Sequence, residues 1–317
     1  MTRKIGVTYG GITDEWLAQI KAATPGFEII TARRDSADLL DCEVVFGHLA
    51  ADVLTKSTAL KWLHTQSAGV DAYLQRGVEF PAHVTLTNSA GAYGITIAEH
   101  LLTTILMLMR RMPAYGRLQA ERKWEYLGEI DCLYGATVTV VGLGDIGGNF
   151  AARCKAMGAN VRGVVRNSRA QLPNCVDDLF TADELDKAIS GADVVALCLP
   201  ATGETAALFD ETRLGRLKRG AYILNVGRGS AIDSNALAKA LHSGLLRGAG
   251  LDVTSPEPLP PEHPLWDAPN LIITPHVSGG DSTNLTEGLI IGKFLRYLQA
   301  YVAGLPFERV VDKTAGY

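Results

Sequence analysis

Two α/β domains, each a parallel sheet covered by helices, with a cleft between them, are what this 317-residue sequence predicts. Three features carry the prediction. Short apolar, β-branched runs alternate with helical segments from the first residues onward, a glycine-rich turn joins such a run to a helix at 137–157, and a second series of runs follows that turn. Alternation of strand and helix builds parallel sheets with helical crossovers.

In chain order, the first hundred residues place strands at 4–8, 27–30, 44–46, 62–65 and 84–87, with a helix opening near Thr13. A long helix is expected over 95–112. Its most apolar stretch, 100–109, is too short to span a bilayer and is closed by Arg110 and Arg111, so it reads as a core helix. After the glycine turn, strands at 161–165, 194–198, 222–225, 249–253 and 271–274 join the strand at 137 in a six-stranded doubly wound unit. A last helix, 281–303, carries Leu285, Leu289, Phe294, Leu295 and Leu298 as an apolar face suited to docking on the N-terminal domain. The expected division is therefore a discontinuous domain, 1–98 with 283–317, around a second domain, 99–282.

Composition narrows the function. Hydrophobic residues make up 47% and charged residues 20%, as in globular proteins. A net charge of −4 and no long basic run exclude a concentrated positive face, so nucleic acid is not an expected partner. The five cysteines, Cys42, Cys132, Cys154, Cys175 and Cys198, are scattered with no C-x-x-C pair, which predicts mostly buried, reduced thiols and no metal site. The N-terminal residues run directly into a strand without an apolar signal-peptide core, and a cytoplasmic protein is expected.

Gly142, Gly144 and Gly147 have G-x-G-x-x-G spacing after the β-branched strand at 137–141, with Asp145 and Ile146 in the turn into the helix. The first glycine permits a tight turn, the second lets backbone approach a pyrophosphate, and the third lets helix pack closely on strand. Anionic phosphates then meet the unpaired N–H groups and the positive dipole end of the helix. The pattern identifies a Rossmann-like dinucleotide-binding unit. Where such units place an acidic residue for the ribose 2′-hydroxyl of NAD, this sequence has Arg166, Asn167, Ser168 and Arg169. Arg166 can grip a 2′-phosphate with its planar fork, helped by Ser168 and Arg169, so NADP(H) is favoured and NAD(H) left open.

Three further residues follow strands at the same sheet edge: Arg228 in Asn225-Val226-Gly227-Arg228-Gly229, Glu257 in a proline-rich loop, and His276 in Thr274-Pro275-His276-Val277-Ser278-Gly279. Open α/β sheets bind ligands at that edge. Reduction of a 2-keto acid needs a carboxylate anchor, a hydride donor and an acid for the carbonyl oxygen. Arg228 suits the first, with several in-plane donors. His276 suits the last, and Glu257 would bond its other ring nitrogen, fixing the tautomer and stabilising the imidazolium.

These motifs, with Gly250-Leu251-Asp252-Val253, Glu257-Pro258-Leu259-Pro260 and Pro264-Leu265-Trp266, follow one another in the order of the D-isomer-specific 2-hydroxyacid dehydrogenase family, which the sequence resembles. The resemblance implies that Arg228 binds substrate, that His276 is the acid/base and Glu257 its partner, that Asp252 lies near the nicotinamide, and that Leu199 and Pro200 line the adenosine side. It extends the cofactor set to Thr205, Val226, Gly227 and Gly279, with Arg228 and His276 themselves. Ser67, Ala68 and Gly69 resemble the loop whose amides bind the substrate carboxylate, Ala98-Glu99-His100 resembles the start of the interdomain helix, and a homodimer through roughly 100–127 is implied. Lack of an acidic residue after the second strand resembles the NADPH-using glyoxylate/hydroxypyruvate reductases. His48, Leu49 and Tyr93 are substrate-pocket candidates, with capping or packing the favoured role for His48. Two other readings keep the fold: a cofactor sensor that recruits partners, like corepressors related to the family, and a formate- or phosphite-type dehydrogenase. In formate dehydrogenases a glutamine usually partners the histidine, so Glu257 counts against that subtype.

Overall fold

The computed structural model describes residues 2–74, 79–167, 171–280 and 283–316. The chain divides into two compact units, Met1–Tyr93 with Gly280–Tyr317, and Gly94–Gly279. These bounds differ from the expected 98/99 and 282/283 by a few residues, and the whole helix that opens at Gly94 goes with the second unit.

The first unit holds five parallel strands, β1 (Arg3–Val7), β2 (Phe27–Thr31), β3 (Val44–Phe46), β4 (Trp62–Thr65) and β5 (Thr85–Asn88), in the order β2-β1-β3-β4-β5. Strands β3 and β4 are buried throughout, as a sheet covered on both faces requires. Thr13 opens the first helix, Asp14–Ala23, its side chain accepting the N–H of Trp16. The terminal helix, Asn284–Val302, packs on this sheet, with Phe294 stacked on Phe46 at 4.2 Å between ring centroids. Its buried face differs from the expected one. Thr286, Ile290, Ile291, Phe294, Tyr297 and Leu298 are buried, whereas Leu285 and Leu289 are 49% and 38% exposed. Leucine content suggested the face, but aromatic stacking around Trp62, Phe294 and Phe307 fixes the rotation of the helix.

The second unit holds seven parallel strands: β6 (Thr137–Val141), β7 (Asn160–Val165), β8 (Asp178–Thr181), β9 (Val194–Leu197), β10 (Ala221–Asn225), β11 (Leu246–Leu251) and β12 (Leu271–Ile273). Their order is β12-β11-β10-β9-β6-β7-β8. From β6 the chain winds outward through β7 and β8, then returns to β9 and proceeds the other way, so the winding reverses between β6 and β9. The expected count of six missed β8, a four-residue edge strand with no fully buried residue and hence no clear apolar run. The helix expected over 95–112 spans Gly94–Met109, and a second helix not expected from sequence, Met112–Ala120, follows after Arg111 with φ +56. Pro113 explains the break, because it is accommodated only in the first turn of a helix. Ile97, Leu101, Ile105 and Leu108 line the buried face of the first of these helices. No helix among the described residues is long and apolar enough to cross a membrane. All five cysteines are free, but only Cys42 and Cys154 are buried. Cys132 is exposed because it lies in irregular chain before β6, which corrects the expectation of mostly buried thiols.

Candidate active site

The glycine turn follows the buried strand β6 directly. Gly142 has φ +96, and a Cβ there would stand 2.7 Å from the Cys198 carbonyl oxygen. A Cβ on Gly147 would approach the Gly142 carbonyl to 1.9 Å, so only glycine lets helix Asp145–Ala156 come this close to its strand. Gly144 is different: a Cβ there would meet nothing within 4 Å. It is the N-cap of that helix and supplies no side-chain cap, leaving first-turn N–H groups beside open space. A pyrophosphate fits that arrangement, which offers backbone donors, a favourable dipole end and room for close approach. Asp145 lies at the rim, its carboxylate taken by Asn149 Nδ2 at 3.2 Å.

The neighbouring loops converge on the turn. Leu199 Cδ2 lies 3.1 Å from where a Gly142 Cβ would be, and Leu199 backbone abuts Gly227. Thr205 Oγ1 donates to the Pro200 carbonyl at 2.8 Å and accepts the Thr202 N–H at 2.9 Å, closing the loop after β9. Val226 continues β10, its N–H on Leu197 O at 3.2 Å. At the end of β7, Arg166 and Asn167 are exposed, and Arg166 Nη2 meets Glu204 Oε1 at 3.0 Å. Ser168 and Arg169 lie outside the described residues.

Arg228 is held by its loop. Asn225, 1% exposed, donates to the Arg228 carbonyl at 2.9 Å and accepts the Gly227 N–H at 3.1 Å, and Arg228 Nη1 donates to Gly227 O at 2.7 Å. The Asn-x-Gly spacing is an Asx-turn signal that sequence reading passed over.

His276 and Glu257, 19 residues apart in sequence, meet at 2.7 Å between Nδ1 and Oε1. The second carboxylate oxygen accepts the Thr254 N–H at 3.5 Å. Because Glu257 takes Nδ1, Nε2 is the ring nitrogen left for a ligand. His276 has φ +53, a sparsely populated conformation for a non-glycine residue, of the kind that persists when surroundings impose it. Asp252 imposes it. Its carbonyl accepts the His276 N–H at 2.8 Å, and its carboxylate accepts Thr274 Oγ1 at 2.6 Å and the N–H groups of Val277 and Ser278 at 2.9 and 3.0 Å. Burial works to raise the Asp252 carboxyl, but hydrogen bonds from Ser278, Thr274 and Val277 outweigh it and hold the group below the ordinary carboxylate range. His100 Nε2 extends the network to Thr274 Oγ1 at 3.2 Å, and Thr96 Oγ1 ties Gly279 O at 2.8 Å.

In the first unit, Ser67, Ala68 and Gly69 form the half-buried turn after β4. His48 and Leu49 follow β3, with His48 Nδ1 3.3 Å from the Tyr73 hydroxyl, which also accepts the Leu49 N–H at 2.8 Å. Burial, then the nearby Arg34, lowers the His48 pKa, so this ring is neutral at pH 7. Tyr73 is a supporting residue without a sequence signal.

A family model described as D-isomer specific 2-hydroxyacid dehydrogenase, NAD binding domain, matches residues 102–278. The chain belongs to the D-isomer specific 2-hydroxyacid dehydrogenase family. The dehydrogenase is 31% identical over 311 residues to glyoxylate/hydroxypyruvate reductase A of Citrobacter koseri, with 95% of this chain and 96% of the relative covered. Among solved structures, it is similar to a D-isomer specific 2-hydroxyacid dehydrogenase family protein from Aeromonas salmonicida, at a TM-score of 0.86, 32% identity and 99% and 100% coverage. It is also similar to the NADPH-dependent glyoxylate/hydroxypyruvate reductase of Sinorhizobium meliloti in complex with NADP and sulfate, at a TM-score of 0.84, 28% identity and 99% and 100% coverage. The dehydrogenase is thus an NAD(P)-dependent oxidoreductase.

Proposed function

We propose that the dehydrogenase reduces a small 2-keto acid to the D-2-hydroxy acid, with NADPH preferred to NADH. The observation that carries this reading is the Glu257–His276 pair at 2.7 Å, set with Arg228 after strands of the same sheet whose β6 ends in the glycine turn. The bound nicotinamide would supply a hydride to the carbonyl carbon. Arg228 grips the carboxylate and carbonyl oxygen, the amides of 66–69 take the carboxylate, and His276 Nε2 gives its proton to the developing alkoxide. Glu257 keeps the ring turned for that transfer, while Asp252 holds the turn that carries it.

Arg166, after β7, is the proposed partner of a 2′-phosphate, and the NADP named with the Sinorhizobium meliloti relative supports that preference. His48 and Leu49 wall the substrate side, and a small pocket suits glyoxylate or hydroxypyruvate. A homodimer forms through roughly 100–127. Its support is helix Met112–Ala120, which has no buried residue, and the exposed Trp124 and Tyr126 that follow. The protein works in the cytoplasm, where its five free cysteines stay reduced.

Initial-rate oxidation of NADPH and NADH against glyoxylate, hydroxypyruvate, pyruvate, a branched 2-keto acid and phenylpyruvate tests the reading. Turnover with NADPH preferred is expected. Cofactor binding without turnover of any acid would overturn it.

A further inference from the structure

Residues 66–69 have an unusual polarity. Every carbonyl of the turn has a donor. Tyr93 Oη donates to Gln66 O at 2.6 Å, and Ser67 O takes both the Ser89 N–H and Thr65 Oγ1 at 3.1 Å. Asn88 Nδ2 donates to Ala68 O at 2.7 Å, and Ser67 Oγ to Gly69 O at 2.6 Å. Among the described residues, no hydrogen bond uses the N–H groups of these four positions as donors. Consecutive N–H groups left without a protein acceptor, with their carbonyls tied back, are donors open to an anion.

Three of these ties, from Asn88, Ser89 and Tyr93, come from one short segment that leaves the end of β5. Asn88 is 8% exposed, and its Oδ1 accepts the Ala90 N–H at 3.3 Å, which fixes the amide with Nδ2 toward Ala68. Ser89 is fully buried, and its hydroxyl bonds Thr65 O at 2.9 Å and lies 3.2 Å from Nε2 of the buried His64. Burial and Lys293 push His64 down to about 3, so that ring is neutral at neutral pH, and Lys293, whose Nζ donates to the Ala90 carbonyl, is the cation beside the segment. The amide dipoles of 66–69, oriented by these posts, therefore act beside the Lys293 charge.

We propose that Tyr93 and Asn88 are positioning residues for the substrate carboxylate: by holding the carbonyls of Gln66 and Ala68, they keep the amides of the turn presented to it. Neither side chain touches substrate in this role. The proposal rests on the reading that 66–69 receives the carboxylate.

The test measures initial rates with glyoxylate as the varied substrate and NADPH saturating, for Tyr93→Phe, Asn88→Ala and Ala68→Pro. Tyr93→Phe keeps the ring and removes only the hydroxyl, and Ala68→Pro deletes one of the donor N–H groups. Loss of a single orienting hydrogen bond, about 1–1.5 kcal/mol, corresponds to a KM for glyoxylate about 5–13-fold higher. The expected result is that rise in Tyr93→Phe and Asn88→Ala, with kcat within about twofold and NADPH affinity unchanged. If Ala68→Pro raises KM but the other two do not, the turn binds the carboxylate and the positioning proposal is wrong. If Ala68→Pro also leaves KM unchanged, the carboxylate reading of the turn fails and the proposal with it. A fall in kcat and NADPH affinity alongside KM would mark general disruption and overturn the positioning role.

Discussion

Replacing Arg166 with Gln removes the cation proposed for the 2′-phosphate while keeping a hydrogen-bonding side chain of similar reach. A hydrogen bond from a charged group to phosphate contributes about 1.5–3 kcal/mol. Arg166 meets Glu204 at 3.0 Å, with side chains 51% and 69% exposed. A pair so exposed is worth about 0.2–1 kcal/mol, and the phosphate has to displace it. The net stabilisation is about 1–2 kcal/mol, or about 5–30-fold in Kd. Titration of the purified protein with each cofactor, followed by nicotinamide fluorescence, should show NADPH weakened by that factor and NADH changed less than about twofold. Salt should narrow the difference, because the site is open to solvent. Equal weakening of both cofactors, or of neither, would refute the assignment of Arg166 to the 2′-phosphate.

Glu43 makes stability depend on acid pH. Hydrogen bonding by Arg3, then by Tyr301, outweighs burial and lowers its pKa from 4.5 to about 2. The folded state therefore holds Glu43 ionised where the unfolded chain has protonated it. Its contribution is full above pH 4.5 and is lost as pH falls toward 2. Arg3 is 47% exposed, so about 1–2 kcal/mol is a reasonable size. Glu43→Gln should lower Tm by a few degrees at pH 6, and the gap to the parent should close by about pH 2; a gap that widens in acid would show the sign to be wrong. For Arg228→Lys, keto acid kcat/KM should fall by about 10²-fold or more, since a point charge lacks the fork geometry. Near-normal kinetics in that variant would mean that the carboxylate is anchored elsewhere.

How much of this was readable in the sequence differs between local and long-range features. The turn at Gly142 and the close approach at Gly147 are legible because glycine spacing answers a local steric demand, 2.7 and 1.9 Å from backbone oxygens. Arg228, Glu257 and His276 are legible as chemistry, and placing each after a strand was enough to bring them to one sheet edge. The brackets that hold them were not. Asp252 reaches 22 to 26 residues along the chain to Thr274, Val277 and Ser278, and Asn88 reaches back 20 to Ala68, separations that no periodicity encodes. Nor does composition reveal that Glu204 sits on Arg166. The edge strand β8 and the exposed Leu285 failed for the opposite reason: local apolar content there is a poor guide to burial.

His276 is proposed to give the proton that completes reduction. The direct measurement is kcat of His276→Ala with NADPH and the best keto acid, beside the NADPH Kd of the same variant. The expected kcat is lower by about 10²-fold or more, as for loss of a positioned acid, with NADPH binding retained. An unchanged kcat would remove His276 from the mechanism.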